Sequence, residues 1–218
     1  AMVKASGYGT GTHEIANVLN FHHIDYLSVA YTDEGIELRN HGIELPIMVM
    51  NAETTSYELL IEKKLEPVIY NFEYLLQLLD HKKNGGNIPP IHIEIDTGMH
   101  RLGFEPEKID ELINLLKKEK DIKIKSIFSH LAASDEPEMD AFTKEQLSIF
   151  KKASHKIEKA LGKTFLKHIA NSAAASRFKE ATFDMIRLGV GLYGVGANET
   201  EQAKLQPVAY PINLAIAK

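Results

Sequence analysis

Ile91-His-Ile-Glu-Ile-Asp96 alternates without a break, with three isoleucines on one side of an extended chain and His92, Glu94 and Asp96 on the other. A strand in an antiparallel sheet can present such a polar side to water. The neighbouring sequence argues for burial instead. Short apolar runs alternate there with helix-spaced segments, and this βαβ order predicts a parallel sheet covered on both faces, with the three polar residues lining an interior. The stretch is therefore read as a strand beside a polar pocket.

Working outward, Lys83-Asn-Gly-Gly-Asn-Ile-Pro-Pro90 breaks a helix opened by Asn71, with Phe72, Leu75, Leu76 and Leu79 on one side. Before it the order is a helix capped by Thr12, a strand Ile24 to Ala30, a helix Asp33 to Asn40, a strand in Pro46 to Met50, a helix Ser56 to Lys64 and a strand Glu66 to Tyr70. After it come a helix Pro106 to Lys120, a strand Ile122 to His130, a long helix Met139 to Leu161 ended by Gly162, a strand Thr164 to Ile169, a helix start at Asn171 and a strand Phe183 to Ile186. With Met2-Val3 as the stump of the first, eight strands alternate with helices. The fold expected is α/β, a (β/α)8 barrel of the TIM type truncated at strand one. A doubly wound open sheet is the alternative, because periodicity fixes alternation and not closure. Both ends read as cut from something longer: residues 1–203 are expected to form the barrel, and residues 204–218 a linker or the start of a C-terminal β-domain.

The 218 residues carry a net charge of -5 with acids and bases intermixed, which argues against a nucleic-acid or anionic-membrane partner. The chain has no cysteine, so disulfides and thiolate metal sites are excluded and a reducing compartment such as the cytoplasm is the simpler expectation. No apolar run reaches membrane-spanning length, no signal peptide is visible, and no metal-ligand spacing is present.

In a barrel of this kind chemistry gathers at the C-terminal ends of the strands. Lys4 follows strand one, Arg101 lies in the loop after Asp96, His130 ends its strand, Ser172 follows the next, and Arg187 with Gly189-Val-Gly191 follows the last. Each has a plain reading: a surface lysine, a surface arginine, a satisfied histidine, a turn. A lysine at the tip of a buried strand is costly unless solvated, paired or converted, and a Schiff base with pyridoxal phosphate converts it. The Ser172 hydroxyl and the amides near Gly189 and Val190 suit a phosphate, and Arg187 suits the ring nitrogen of a pyridoxal.

Met2-Val-Lys-Ala-Ser-Gly-Tyr-Gly-Thr-Gly11, Ile95-Asp-Thr-Gly-Met-His-Arg-Leu-Gly103, Asn171-Ser-Ala-Ala-Ala175 and Met185-Ile-Arg-Leu-Gly-Val-Gly-Leu-Tyr-Gly194 resemble the signature segments of bacterial alanine racemase. The resemblance implies a fold-type III barrel that uses pyridoxal 5'-phosphate to interconvert L- and D-alanine for peptidoglycan precursors, in a homodimer with shared active sites. Some relatives are fused to a ligase. By motif, Lys4 holds the cofactor and is the base on one face of the substrate Cα; Tyr8, Ser172, Gly189 and Val190 bind the phosphate; Arg187 faces the pyridine nitrogen with His130 in support; and Arg101 contacts the phenolic oxygen and the substrate. Two departures stand out. Many relatives have a carbamylated lysine where this chain has Glu94, so Glu94 is expected to hold Arg101 by a charge-assisted hydrogen bond. The opposite-face base, a tyrosine of the partner subunit's C-terminal domain in the family, lies in a region the chain is expected to lack, so slow racemisation is expected. A non-catalytic pyridoxal-phosphate-binding or homeostasis barrel is the other functional reading, and a barrel binding some other phosphorylated ligand is a third.

Overall fold

A computed structural model of the chain describes residues 1–52 and 57–196. Among the described residues two compact units are distinguished: those of Ala1–Pro67 together with those from Arg187 to Gly196, and Val68–Ile186.

The first unit holds β1 (Leu27–Val29), β2 (Ile47–Val49) and the start of β3 (Leu65–Ile69), paired in parallel in chain order. All three strands are buried throughout. The crossovers carry α1 (Thr12–Phe21), α2 (Thr32–Asn40) and α3 (Tyr57–Glu62). Ile15, Leu19 and Leu38 turn from the first two of these helices into the core with Val3, Leu27, Val29 and Ile47. Gly11 rather than Thr12 is the N-cap of α1, and Thr12 is its first helical residue. Met2 forms a single parallel bridge to Ser28, so the expected first strand is one bridge long.

The second unit continues β3 at Val68 and adds β4 (Ile91–Glu94), β5 (Ile124–Phe128) and β6 (Leu166–His168), again parallel and in chain order. Its helices are α4 (Phe72–Lys83), α5 (Ile109–Leu116), α6 (Asp140–Leu161) and α7 (Ser172–Arg177). Asn71 caps α4 by accepting from the Tyr74 amide at 2.7 Å, and Asn171 caps α7 by accepting from the Ala174 amide at 2.9 Å. Gly162 closes α6 in the left-handed conformation, at φ 63°. The expected helix from Pro106 begins instead as a 3-10 turn, Pro106–Lys108.

Both sides of β4 are inside. Ile91, Ile93 and Ile95 are fully buried, and His92, Glu94 and Asp96 are 0 %, 2 % and 8 % exposed. This is the doubly covered parallel strand expected of a βαβ order. The expected strand Phe183–Ile186 does not form. Phe183 has φ 41°, outside extended backbone, and Asp184 bonds to one residue 17 positions away: its amide donates to the Lys167 carbonyl at 3.0 Å, and its carboxylate accepts from the Lys167 amide at 2.8 Å. Six strands are therefore present among the described residues, in a parallel α/β arrangement. The expected residues 204–218 lie outside the described part.

No helix among the described residues is long and apolar enough to cross a membrane.

Candidate active site

Val3 is fully buried, its amide donating to the Ser28 carbonyl of β1 at 2.9 Å. The chain then leaves the core at Lys4 and changes hand. Ala5, Ser6, Gly7 and Tyr8 have φ between 52° and 59° and ψ between 32° and 57°, a turn of left-handed helix. An L-residue with a Cβ pays about 1–2 kcal/mol for this conformation, so Ala5, Ser6 and Tyr8 need outside support. Several bonds supply it. The Gly7 carbonyl accepts from the Tyr193 hydroxyl at 2.5 Å and the Thr10 hydroxyl at 2.6 Å, the Gly11 amide donates to the Ser6 carbonyl at 2.9 Å, and the Ala5 amide donates to Oε1 of Glu34 at 2.6 Å. Glycine is favoured at position 7 by φ 59°, and space sets it apart from its neighbours in the turn, since a Cβ would lie 2.7 Å from Cγ2 of Ile15.

Lys4 is half-buried, and among the described residues its ammonium makes no hydrogen bond or ion pair. Tyr8 projects from the turn toward Gly189, where a Cβ would lie 2.7 Å from the Tyr8 hydroxyl. The Tyr8 and Tyr193 rings are tilted at 5.6 Å. Burial, and secondarily the neighbouring Tyr193, raise the pKa of Tyr8, so its hydroxyl stays a donor at neutral pH. Arg187 is 6 % exposed, and Val190 opens a 3-10 turn, Val190–Tyr193, with its side chain largely exposed. Lys4, Tyr8, Arg187, Gly189 and Val190 thus all belong to the first unit.

The other expected residues belong to the second unit. Glu94 ends β4 inside the core. After it, Asp96 folds the chain back on itself. Its Oδ1 accepts from the Gly98 amide at 2.8 Å and the His100 amide at 3.1 Å, and the Phe104 amide returns to the Glu94 carbonyl at 2.9 Å. Gly103 permits the close return, since a Cβ there would lie 2.4 Å from the Asp96 amide nitrogen. Arg101 sits on this lobe, exposed, and makes no hydrogen bond or ion pair among the described residues. The expected Glu94–Arg101 bond is therefore not formed: the strand buries one partner and the lobe carries the other outward. His130 follows β5, its carbonyl accepting from Nε2 of Gln146 at 3.2 Å. Ser172 is the first residue of α7, positioned by the Asn171 cap, whose Oδ1 also takes the Ser134 hydroxyl at 2.8 Å.

A buried polar chain was not anticipated from the sequence. Nδ1 of His92 lies 2.7 Å from the Ser126 hydroxyl, which lies 2.9 Å from Nε2 of His168, and all three residues are fully buried. His168 stacks on Phe128 at 4.7 Å. Alternation pointed to His92 alone, because Ser126 and His168 lie in runs with no such pattern. Glu34 and Tyr193 were also missed; the only local signal for Glu34 was its place three residues after Tyr31, where an acid closes a capping box. Among the described residues no group of three or more His, Cys, Asp or Glu could hold a metal ion.

Residues 1–197 match the family model described as alanine racemase, N-terminal domain. The chain is 38 % identical over 197 residues to the alanine racemase of Thermodesulfovibrio yellowstonii, a match covering 90 % of this chain and 52 % of that protein. It is 35 % identical over 195 residues to alanine racemase 2 of Caldanaerobacter subterraneus subsp. tengcongensis, covering 88 % and 50 %. Among solved structures, alanine racemase of Clostridium difficile 630 matches with a TM-score of 0.85 at 34 % identity, covering 94 % of this chain and 58 % of that one. The chain spans about half the length of the curated relatives it matches.

Proposed function

Because this chain belongs to the family of alanine racemase N-terminal domains, we propose that it is the cofactor-bearing part of an enzyme interconverting L- and D-alanine. The observation that carries the reading is Lys4, a half-buried amine with no partner among the described residues, at the mouth of a strained turn whose Tyr8 abuts Gly189. These residues fit the family's cofactor, pyridoxal 5'-phosphate. The amine is open to a covalent bond, and Gly189 leaves room beside the Tyr8 hydroxyl that a Cβ would fill. When bound, the cofactor supplies the electron sink that lets a proton leave the substrate Cα.

The chain's own residues divide the remaining work. Lys4 would hold the cofactor and serve as the base on one face of the substrate Cα, while the proton on the other face would be handled by the tyrosine of the partner subunit's C-terminal domain that the resemblance implies. The Tyr8 hydroxyl, the backbone at Gly189 and Val190 and the Ser172 hydroxyl bind the phosphate. Arg187 takes the ring nitrogen, and its permanent positive charge keeps a proton off that atom, with His130 in support. Arg101, exposed on its lobe, serves the phenolic oxygen and the substrate carboxylate.

We read the parallel strands and helices as part of a (β/α)8 barrel, with residues 1–203 of this chain as the cofactor domain and residues 204–218 as a linker or the start of a C-terminal β-domain. A homodimer with shared active sites and a cytoplasmic location complete the proposal; the absence of cysteine supports the latter.

The test is to incubate the chain with pyridoxal phosphate, reduce with borohydride and map the modified residue by mass spectrometry, then to follow exchange of the alanine Cα proton in deuterated water. Label on Lys4 and Cα exchange are expected. Label elsewhere, or none, overturns the reading, and label on Lys4 without exchange favours a cofactor-binding protein over a racemase.

A further inference from the structure

Glu34 occupies the third position of α2, where an acid commonly satisfies the helix's own first amides. Here its two oxygens do different jobs. Oε2 accepts from the Ala30 amide at 2.7 Å and the Tyr31 amide at 3.1 Å, holding the chain as it leaves β1. Oε1 accepts from the Ala5 amide at 2.6 Å, 29 residues away in sequence. The residues on either side of Lys4 are thus both held from the end of β1: Val3 through its amide on the Ser28 carbonyl at 2.9 Å, and Ala5 through Glu34. Ala5 is also the first residue of the left-handed turn, where the backbone must leave the conformation that L-residues prefer. Bonds from a carboxylate to amides are charge-assisted and stronger than neutral ones, so this one is well suited to hold a strained peptide.

We infer that Glu34 is a positioning residue for Lys4: by holding the Ala5 amide it fixes the backbone from which the reactive amine projects. This rests on the reading of Lys4 as the lysine that takes the cofactor. Glu34 touches neither cofactor nor substrate in this account and acts only through the peptide it binds.

The test compares wild type with Glu34→Ala, Glu34→Gln and, as a control for simple loss of stability, Leu38→Val, which thins the buried side of the same helix without touching Ala5. Two quantities are read: the rate at which pyridoxal phosphate becomes trappable by borohydride on Lys4, and deuterium uptake by amides of residues 5–8. Glu34→Ala is expected to slow trapping at least about tenfold and raise uptake. Glu34→Gln, which keeps one accepting oxygen, should fall between it and wild type, and supplies the comparison if the alanine variant does not fold. Leu38→Val should trap at the wild-type rate. Label on Lys4 in wild type with equal rates in the Glu34 variants overturns this inference and leaves the proposed function standing. Equal slowing by Leu38→Val overturns it as well, as a general effect of stability. A wild type labelled elsewhere overturns the role of Lys4, and the positioning role with it.

Discussion

The hydroxyl of Tyr193 donates to the carbonyl of Gly7 at 2.5 Å, joining two residues 186 positions apart. That carbonyl also accepts from the Thr10 hydroxyl, so deleting the phenol oxygen would not strand it. Tyr193→Phe should therefore cost only about 1 kcal/mol in urea unfolding, the net worth of an ordinary hydrogen bond and not the larger penalty of an orphaned acceptor. Amide exchange in residues 5–8 should rise, because one tie on the strained turn is gone.

A methyl group added at Gly189 would meet the Tyr8 hydroxyl, at 2.7 Å. Gly189→Ala should displace the phenol and weaken pyridoxal phosphate binding by about tenfold or more in an absorbance titration, with unfolding changed by less than about 1–2 kcal/mol because Tyr8 is only half-buried and can move. Binding at wild-type strength would remove Tyr8 and Gly189 from the phosphate site.

A serine hydroxyl has one proton to give. Between His92 and His168, Ser126 can donate to only one imidazole, so at least one of the two facing nitrogens carries a proton and donates to the hydroxyl. Ser126→Ala leaves both nitrogens facing a methyl group in a fully buried place and should destabilise the chain by about 2–3 kcal/mol in urea unfolding. A loss below about 0.5 kcal/mol would show that the two rings bond elsewhere without cost.

Burial raises the pKa of Tyr57 to about 12 and that of Tyr8 in the same direction; Tyr26 is raised too, by burial first and then by donating to Glu66 at 2.7 Å. Unfolded tyrosines titrate near 10. The unfolded chain therefore releases these protons first as pH rises, and the stability these tyrosines contribute, constant below about pH 9, should be lost through the window from 10 to 12. Urea unfolding from pH 8 upward checks the slope, which should be shallower in Tyr57→Phe.

How much of this was legible depended on how local the cause was. Asn71 and Asn171 state their helix starts in their own side chains, and Gly162 states a helix end, because a cap needs no distant partner. The burial of His92, Glu94 and Asp96 followed from a parallel sheet having no wet face. Phe183–Ile186 is as apolar as a strand, yet a distant residue, Lys167, takes both the amide and the carboxylate of Asp184. Seven residues separate Glu94 from Arg101, a spacing that says nothing of the lobe closed by Asp96 and Gly103. Glu34 reads as a helix cap, and its second use exists only once Ala5 has arrived beside it.

The turn after Lys4 follows the hand that a peptide of D-residues would choose. At Ala5 the methyl group sits on the crowded side of a backbone with φ 52° and ψ 57°, and a D-alanine placed there by chemical ligation would find itself in its own favoured basin. The segment that presents the amine is therefore locally at odds with the chirality of its own building blocks, kept in shape by the bonds to Gly7, Ser6 and Ala5 and not by its own preference.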